Sequence, residues 1–243
     1  MSRSIKNFIP YLALLAFAPT VGIAQVSESR LSTYFDASYY AYEEPNVMTK
    51  KSSIPLIGLG VGYTSAHNYP ISVNASINLG QTAYEGTGTT NNDPLYILKG
   101  EISKQIAISP LSVKFGYGLR YLYDDWGIKK TTTNYDTYDR STLYSYIFAS
   151  FTRKLKANQF VTFKLKTLMN GKQKIFIDHV NAYQKTSMTQ KRGFGIDVEW
   201  AMSEQLSLFA ESWKIKESEP DAKDYGLIEP ENTTIQLGFR HRF

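Results

Sequence analysis

From Leu111 to Tyr123 the chain alternates apolar and polar residues without a break. Val113, Phe115, Tyr117, Leu119, Tyr121 and Tyr123 occupy one parity; Lys114, Gly116, Gly118 and Arg120 occupy the other. An extended strand sorts these sets onto opposite faces, because successive side chains point to opposite sides. The segment is about twice the ~5–6 residues of an average strand. A strand this long, with one wholly apolar face, suits a sheet whose outer surface meets lipid.

The pattern recurs along the chain. Leu31–Tyr42 sets Phe35, Ala37, Tyr39 and Ala41 against Asp36, Ser38 and Tyr40, and a loop over Glu43–Ser53 follows. Pro55–Thr64 sets Ile57, Leu59, Val61 and Tyr63 against three glycines, and Ala66–Pro70 turns the chain. Ile71–Tyr84 alternates Val73, Ala75, Ile77 and Leu79 with Ser72, Asn74, Ser76 and Asn78, before a Gly/Thr/Asn loop to Pro94. Leu95–Ile108 turns at Ser109-Pro110 into Leu111–Tyr123, and a polar loop covers Asp124–Ser141. Thr142–Arg153 turns near Ala157-Asn158 into Phe160–Met169, where Val161, Phe163 and Leu165 oppose Thr162, Lys164 and Lys166. A loop reaches about Ser187. Met188–Met202 then sets Phe194, Ile196, Val198 and Trp200 against Gly193, Gly195, Asp197 and Glu199. Leu206–Ile215 and a loop through Pro230 lead to the last strand.

These are ten spans, joined alternately by five long loops and four short turns, which is the loop asymmetry of an outer-membrane barrel. The expected fold is all-β: an antiparallel transmembrane β-barrel, ten strands, both termini on the periplasmic side. Spans of this length suit tilted strands crossing a bilayer. Two spans sort poorly. In Thr142–Arg153, Tyr144, Tyr146 and Phe148 compete with Leu143, Ile147 and Phe151 for the lipid face. In Leu206–Ile215, Leu206 and Leu208 differ in parity from Phe209, Trp213 and Ile215, which suggests a β-bulge. Lys104 falls on the lipid face and must snorkel to an interface.

The ends agree with export. Arg3 and Lys6 precede an apolar run from Phe8 to Ala18, then Pro19 and Gly22-Ile23-Ala24. Residues 1–24 read as a Sec-type secretory signal and 25–243 as the barrel. The final strand puts Ile235, Leu237, Phe239 and Phe243 on one face and Gln236, Gly238, Arg240 and Arg242 on the other. A strand closing on an aromatic terminus resembles the carboxyl-terminal signature of Gram-negative outer-membrane barrels. That resemblance implies that Phe243 is an assembly signal read by the barrel-assembly machinery. It also implies an outer-membrane location, with outer-membrane lipid and lipopolysaccharide as surroundings.

Composition narrows the functions. The formal charge of +5 falls to about +3 without the signal, too little to indicate nucleic acid. With no cysteine, disulfides and thiolate zinc sites are excluded. No cofactor or metal is expected, and no Gly-x-Ser-x-Gly elbow exists. Gly58-Leu59-Gly60-Val61-Gly62 lacks a following helix, so these glycines make room inside the barrel rather than cradle a phosphate.

Two groups of residues remain. Lys164 and Lys166 share one polar face; Asp197 and Glu199 share the next. With Arg120 and Arg240 they are expected to project into a narrow lumen as a charge cluster. An unpaired charge there is costly, so the cluster should brace the barrel and narrow any pore. The second group is Asp178-His179 with Asp124-Asp125. Ten-stranded outer-membrane proteases of the omptin family place an Asp and His pair facing an Asp pair across the rim, and these four residues resemble that set. The resemblance implies hydrolysis. This chain departs from it in having adjacent Asp178 and His179, where the family has Asp-x-His, and adjacent strand residues point to opposite faces.

Tyr42-Glu43-Glu44-Pro45-Asn46-Val47-Met48 and Glu229-Pro230-Glu231-Asn232-Thr233-Thr234 resemble a group of sparsely characterised proteobacterial outer-membrane barrel proteins. That likeness implies fold and location only. A ten-stranded barrel is slightly wider than eight-stranded ones filled by their own side chains; aqueous channels belong to sixteen strands or more. The expected role is therefore structural or surface interaction with an unidentified extracellular ligand, any pore being narrow. A small-solute channel is the second reading and omptin-like hydrolysis the third.

Overall fold

The computed structural model describes the backbone of residues 29–66, 69–86, 89–108, 111–130, 135–179, 182–223 and 226–243. Within these it describes all side chains except those of 89–91, 107–108, 126–130, 135–138, 177–179 and 182–184. The expected signal, 1–24, lies outside the described residues.

Twelve strands form one antiparallel sheet. They are β1 (Arg30–Glu44), β2 (Met48–Ser52), β3 (Leu56–Thr64), β4 (Ile71–Glu85), β5 (Thr89–Ile108), β6 (Leu111–Lys130), β7 (Tyr135–Lys156), β8 (Gln159–His179), β9 (Ala182–Gln190), β10 (Gly193–Ala201), β11 (Leu206–Ile215) and β12 (Asn232–Arg242). β2 and β3 both lie between β1 and β4, so they fill one barrel position in two pieces. The break falls at Ser53–Pro55, where proline has no N–H to give a ladder. β9 and β10 likewise follow one another along β8. β1 pairs with β12 and closes the ring, so the barrel has ten positions. Arg30 and Phe243 lie at the same end: Arg30 pairs with Thr64, and the Phe243 N–H donates to the Thr33 carbonyl at 3.0 Å.

Three expected loops are strand instead. β5 begins at Thr89, β6 runs to Lys130, β7 starts at Tyr135, β8 continues to His179 and β9 starts at Ala182. β7 has 22 residues and β8 has 21, whereas ~9–11 suffice to cross a bilayer. The extra length forms a wall that rises above one side of the barrel. Above the lipid both faces are wet, so the alternation fades, while backbone pairing needs no such pattern. β2 likewise replaces part of the loop expected over Glu43–Ser53. Among the described residues, 216–231 remains a long connection. It does not hang free: Glu219 N–H donates to Thr189 O at 2.8 Å and Ala222 N–H to Ser187 O at 2.9 Å. This strap thus covers the edge of β9, which would otherwise be left unpaired.

The faces sort by parity. Leu59, Phe115, Leu165 and Phe194 point outward, each more than half exposed, whereas Tyr40, Leu56, Ile97 and Trp213 are fully buried inside. In β7 the lumen takes Tyr144, Tyr146 and Phe148, and the lipid face takes Leu143 and Ile147. β11 has no bulge. Its registers with β10 and β12 are unbroken; Leu206 and Leu208 face out, and Trp213 and Ile215 are buried within. One real bulge is in β8. Ser145 pairs with Asn170 but Tyr146 with Leu168, so Met169 is extra. The extra residue swaps faces: Lys166 and Leu168 point in below it, Gly171 and Gln173 above it. On β3, a Cβ on Gly60 would overlap the Tyr34 ring, and one on Gly58 would overlap Asp36 and Asn78. Lys104, on the outer face, sits opposite Ile71 near the end that bears the termini, 6.0 Å from the Tyr69 ring.

Phe243 is exposed, and its ring packs edge-on against His241 at 4.9 Å. Deleting Phe243 removes this contact and the last hydrogen bond of the β1–β12 seam. The deletion should lower the yield of heat-modifiable barrel recovered from cells. Yield equal to wild type on unheated gels would contradict that role.

Candidate functional site

Inside the lumen, ionisable side chains gather in three layers. In the layer farthest from the termini, Glu229 reaches in from the strap. Its Oε1 accepts from Arg140 Nη1 at 3.0 Å, and its Oε2 accepts from Gln173 Nε2 at 2.5 Å. The Tyr42 hydroxyl lies 2.6 Å from Glu44 Oε1 and 2.8 Å from Glu229 Oε1, and donates to one at a time. Arg140 also donates from Nη2 to Asp124 at 2.9 Å, and its guanidinium lies 4.3 Å over the Tyr42 ring. Lys50 pairs with Asp124 and, at 3.4 Å, with Asp93. The two Glu-Pro segments therefore meet inside the barrel, one from β1 and one from the strap. Beneath them Tyr40, Leu56, Tyr84, Leu95, Ile97 and Leu122 form an apolar cluster. Tyr144, Tyr146, Trp213 and Ile215 belong to a second cluster.

The middle layer centres on Glu211. It accepts from Lys166 Nζ at 3.0 Å and Trp213 Nε1 at 2.8 Å, pairs with Lys99, and lies 3.9 Å from Arg120 Nε. Lys166 also pairs with Asp197 and sits 4.3 Å over the Trp213 ring. Lys164 pairs with Glu101 at 2.6 Å and lies 3.8 Å from Asp197. The Tyr146 hydroxyl donates to Glu101 at 2.9 Å. In the layer nearest the termini, Arg240 bridges Glu199 at 3.1 Å and Asp36 at 3.5 Å, between the rings of Tyr34 and Phe209. Arg242 completes the pairing of Glu199.

All six residues singled out for the lumen thus point inward, but in different layers. Lys164, Lys166 and Asp197 share one; Glu199 lies nearer the termini with Arg240; Arg120 lies nearer the apolar clusters. The carboxylates that take most of the lysine pairing, Glu101 and Glu211, were not read from the sequence. Both sit on inward parities, but Glu211 fell in the strand whose faces sorted poorly. Arg140 was masked by its place in an expected loop.

Of the four residues that resemble an omptin set, Asp124 and Asp125 have described side chains, and these two lie on opposite faces of β6. Asp124 is buried in ion pairs inside the barrel. Asp125 lies on the other face, opposite Asp139. Burial, and then the negative charge of Asp125, push the Asp139 carboxyl above its ordinary range; a hydrogen bond from Tyr123 opposes this. Asp124 and Asp125 therefore cannot address one water. The backbones of Asp178 and His179 pair with Tyr183 and Ala182 at the top of the wall; their side chains lie outside the described residues. On the strap, hydrogen bonds from Lys214 and Lys216 hold Glu231 below the usual carboxylate range. Among the described residues, no three His, Asp or Glu converge to hold a metal ion.

No protein-family model matches the sequence, and no curated protein does. Solved structures match in fold. The outer membrane protease OmpT from Escherichia coli superposes with a TM-score of 0.50 at 6% identity, over 91% of this chain and 99% of its own. The translocator domain of autotransporter NalP from Neisseria meningitidis gives 0.43 at 7% identity, over 88% of each chain. The toluene transporter TodX from P. putida gives 0.39 at 10% identity, over 86% of this chain and 67% of its own. Barrels from the outer membrane share this architecture, and at such identities the likeness is one of fold alone.

Removing the Glu229 carboxylate strips one bond from Arg140 Nη1 and one from Gln173 Nε2. Breaking a buried pair from one side costs ~3 kcal/mol. Glu229→Ala should therefore lower the denaturant midpoint of the refolded barrel. A midpoint within error of wild type would show that the latch contributes nothing.

Proposed function

We propose that this chain is a closed outer-membrane barrel with a structural or surface-interaction role, rather than an open channel. The observation that carries this reading is the filled lumen. A layer of fully buried Tyr40, Leu56, Leu95, Ile97 and Trp213 spans the interior, with ion-paired layers on either side. Charges held this way are fixed by partners rather than left as a hydrated path. The wall of β5–β9 and the strap then form the outward surface, where an extracellular partner would dock. The even number of barrel positions puts both chain ends on one side, and in this reading that side, where the turns are short, faces the periplasm.

Two measurements test it. In planar bilayers the refolded protein should show no stepwise conductance at moderate voltage, and Trp213→Ala with Glu211→Ala should create some. Regular steps in wild type would replace this reading with the small-solute channel. For sidedness, the chain has no native thiol. Cysteine at Ala222, exposed on the strap, should react with an impermeant maleimide on intact cells. Cysteine at Ala157, in the turn between β7 and β8, should react only after the outer membrane is opened. The reverse pattern would invert the orientation.

A further inference from the structure

Below the filled layer the lumen opens into a cavity of about 330 Å³, within the range of small-molecule sites. Its wall carries six cationic and five anionic side chains. The five carboxylates are all ion-paired, with Lys99, Lys164, Lys166, Arg240 or Arg242. The sixth cation is Lys114. No described carboxylate lies within ion-pairing distance of it, and its ammonium donates only to the Ser72 hydroxyl, at 3.3 Å. A cation enclosed in this way favours an anionic guest.

Ser72 is the foot of a ladder. β4 presents Ser72, Asn74, Ser76 and Asn78 to the lumen, in a row beside the glycine face of β3. Asn78 is engaged by Asp36 at 2.5 Å. Asn74 and Ser76 line the cavity and make no side-chain hydrogen bond among the described residues. Their spacing along the strand is roughly 7 Å, the span of a small polyhydroxylated molecule. A neutral amide and a hydroxyl can both donate and accept, as vicinal hydroxyls require.

We infer that this cavity binds a small hydroxylated monocarboxylate of the sugar-acid class, its carboxylate on Lys114 and its hydroxyls on Asn74 and Ser76. One negative charge completes the pairing of the wall. The bare-anion alternative uses Lys114 alone; the sugar-acid site needs the ladder as well. The site does not depend on a closed lumen: a conducting wild type would overturn the closed-barrel reading and leave this one standing.

The test is isothermal titration of the full refolded barrel in detergent at low ionic strength. The probes are D-glucuronate, D-glucose and acetate. Glucuronate should bind saturably at one per barrel, glucose should give no saturable heat, and acetate should bind at least about tenfold more weakly. Lys114→Gln should weaken glucuronate at least about tenfold, and Lys114→Arg should restore most of the affinity. Asn74→Ala with Ser76→Ala should bring glucuronate down to the affinity of acetate and leave acetate unchanged. No saturable glucuronate binding by wild type overturns the proposal, as does undiminished binding in Lys114→Gln. Equal affinities of wild type for acetate and glucuronate overturn the sugar-acid assignment. Each variant is first shown to give the heat-modifiable band. Should Lys114→Gln fail to fold, the ladder variant decides, and undiminished glucuronate binding there overturns the proposal.

Discussion

Ten residue pairs join β1 to β12, from Tyr34 with Arg242 to Glu43 with Thr233. In hydrocarbon an unpaired N–H or C=O has no water to turn to, so an open sheet edge is prohibitive and closure is obligatory. Closure in turn creates a lumen, and its width follows from the number of strand positions. The buried ion pairs, the aromatic layer and the strap all answer the question of what fills that space. The seam also ends at Phe243, so the chain terminus and the last backbone bond of the ring coincide.

The lumen is packed more like a protein core than like a pore, yet its chemistry is mixed. Glu211 shows why. It accepts from Lys166 and from the Trp213 indole and pairs with Lys99, so one carboxylate ties β5, β8 and β11 across the interior. Removing any single member strands the others in a place with little water, which is costly. Such a network resists piecemeal change and holds the barrel in one cross-section. The strap extends the same logic to the far end. Glu229 anchors a long connection to Arg140 on β7, Tyr42 on β1 and Gln173 on β8.

This division of the lumen gives the two ends different character. Toward the strap, apolar clusters and buried ion pairs leave a sealed interior. Toward the termini, glycines on β3 and short polar residues on β4 leave the space in which Lys114 lies, with no carboxylate partner among the described residues.

The period-two alternation, with the alternation of long loops and short turns between the spans, determined the fold class, the antiparallel barrel of ten positions and the face of most residues along the barrel strands. Lipid on one side imposes that pattern residue by residue, so it is written locally, as in Leu111–Tyr123. The same local signal placed Arg120, Lys164, Lys166, Asp197, Glu199 and Arg240 on inward faces. It failed where lipid no longer acts: β6–β9 continue well above the membrane because paired backbones need no apolar face, and Arg140 was hidden there. It also misread Leu206–Ile215, because an aromatic residue that fills the lumen looks like one that faces lipid. Which charges meet was decided only by the tertiary structure. Partners such as Lys99 and Glu211, or Tyr42 and Glu229, are separated by 112 and 187 residues, and barrel closure alone sets which inward side chains meet across the lumen.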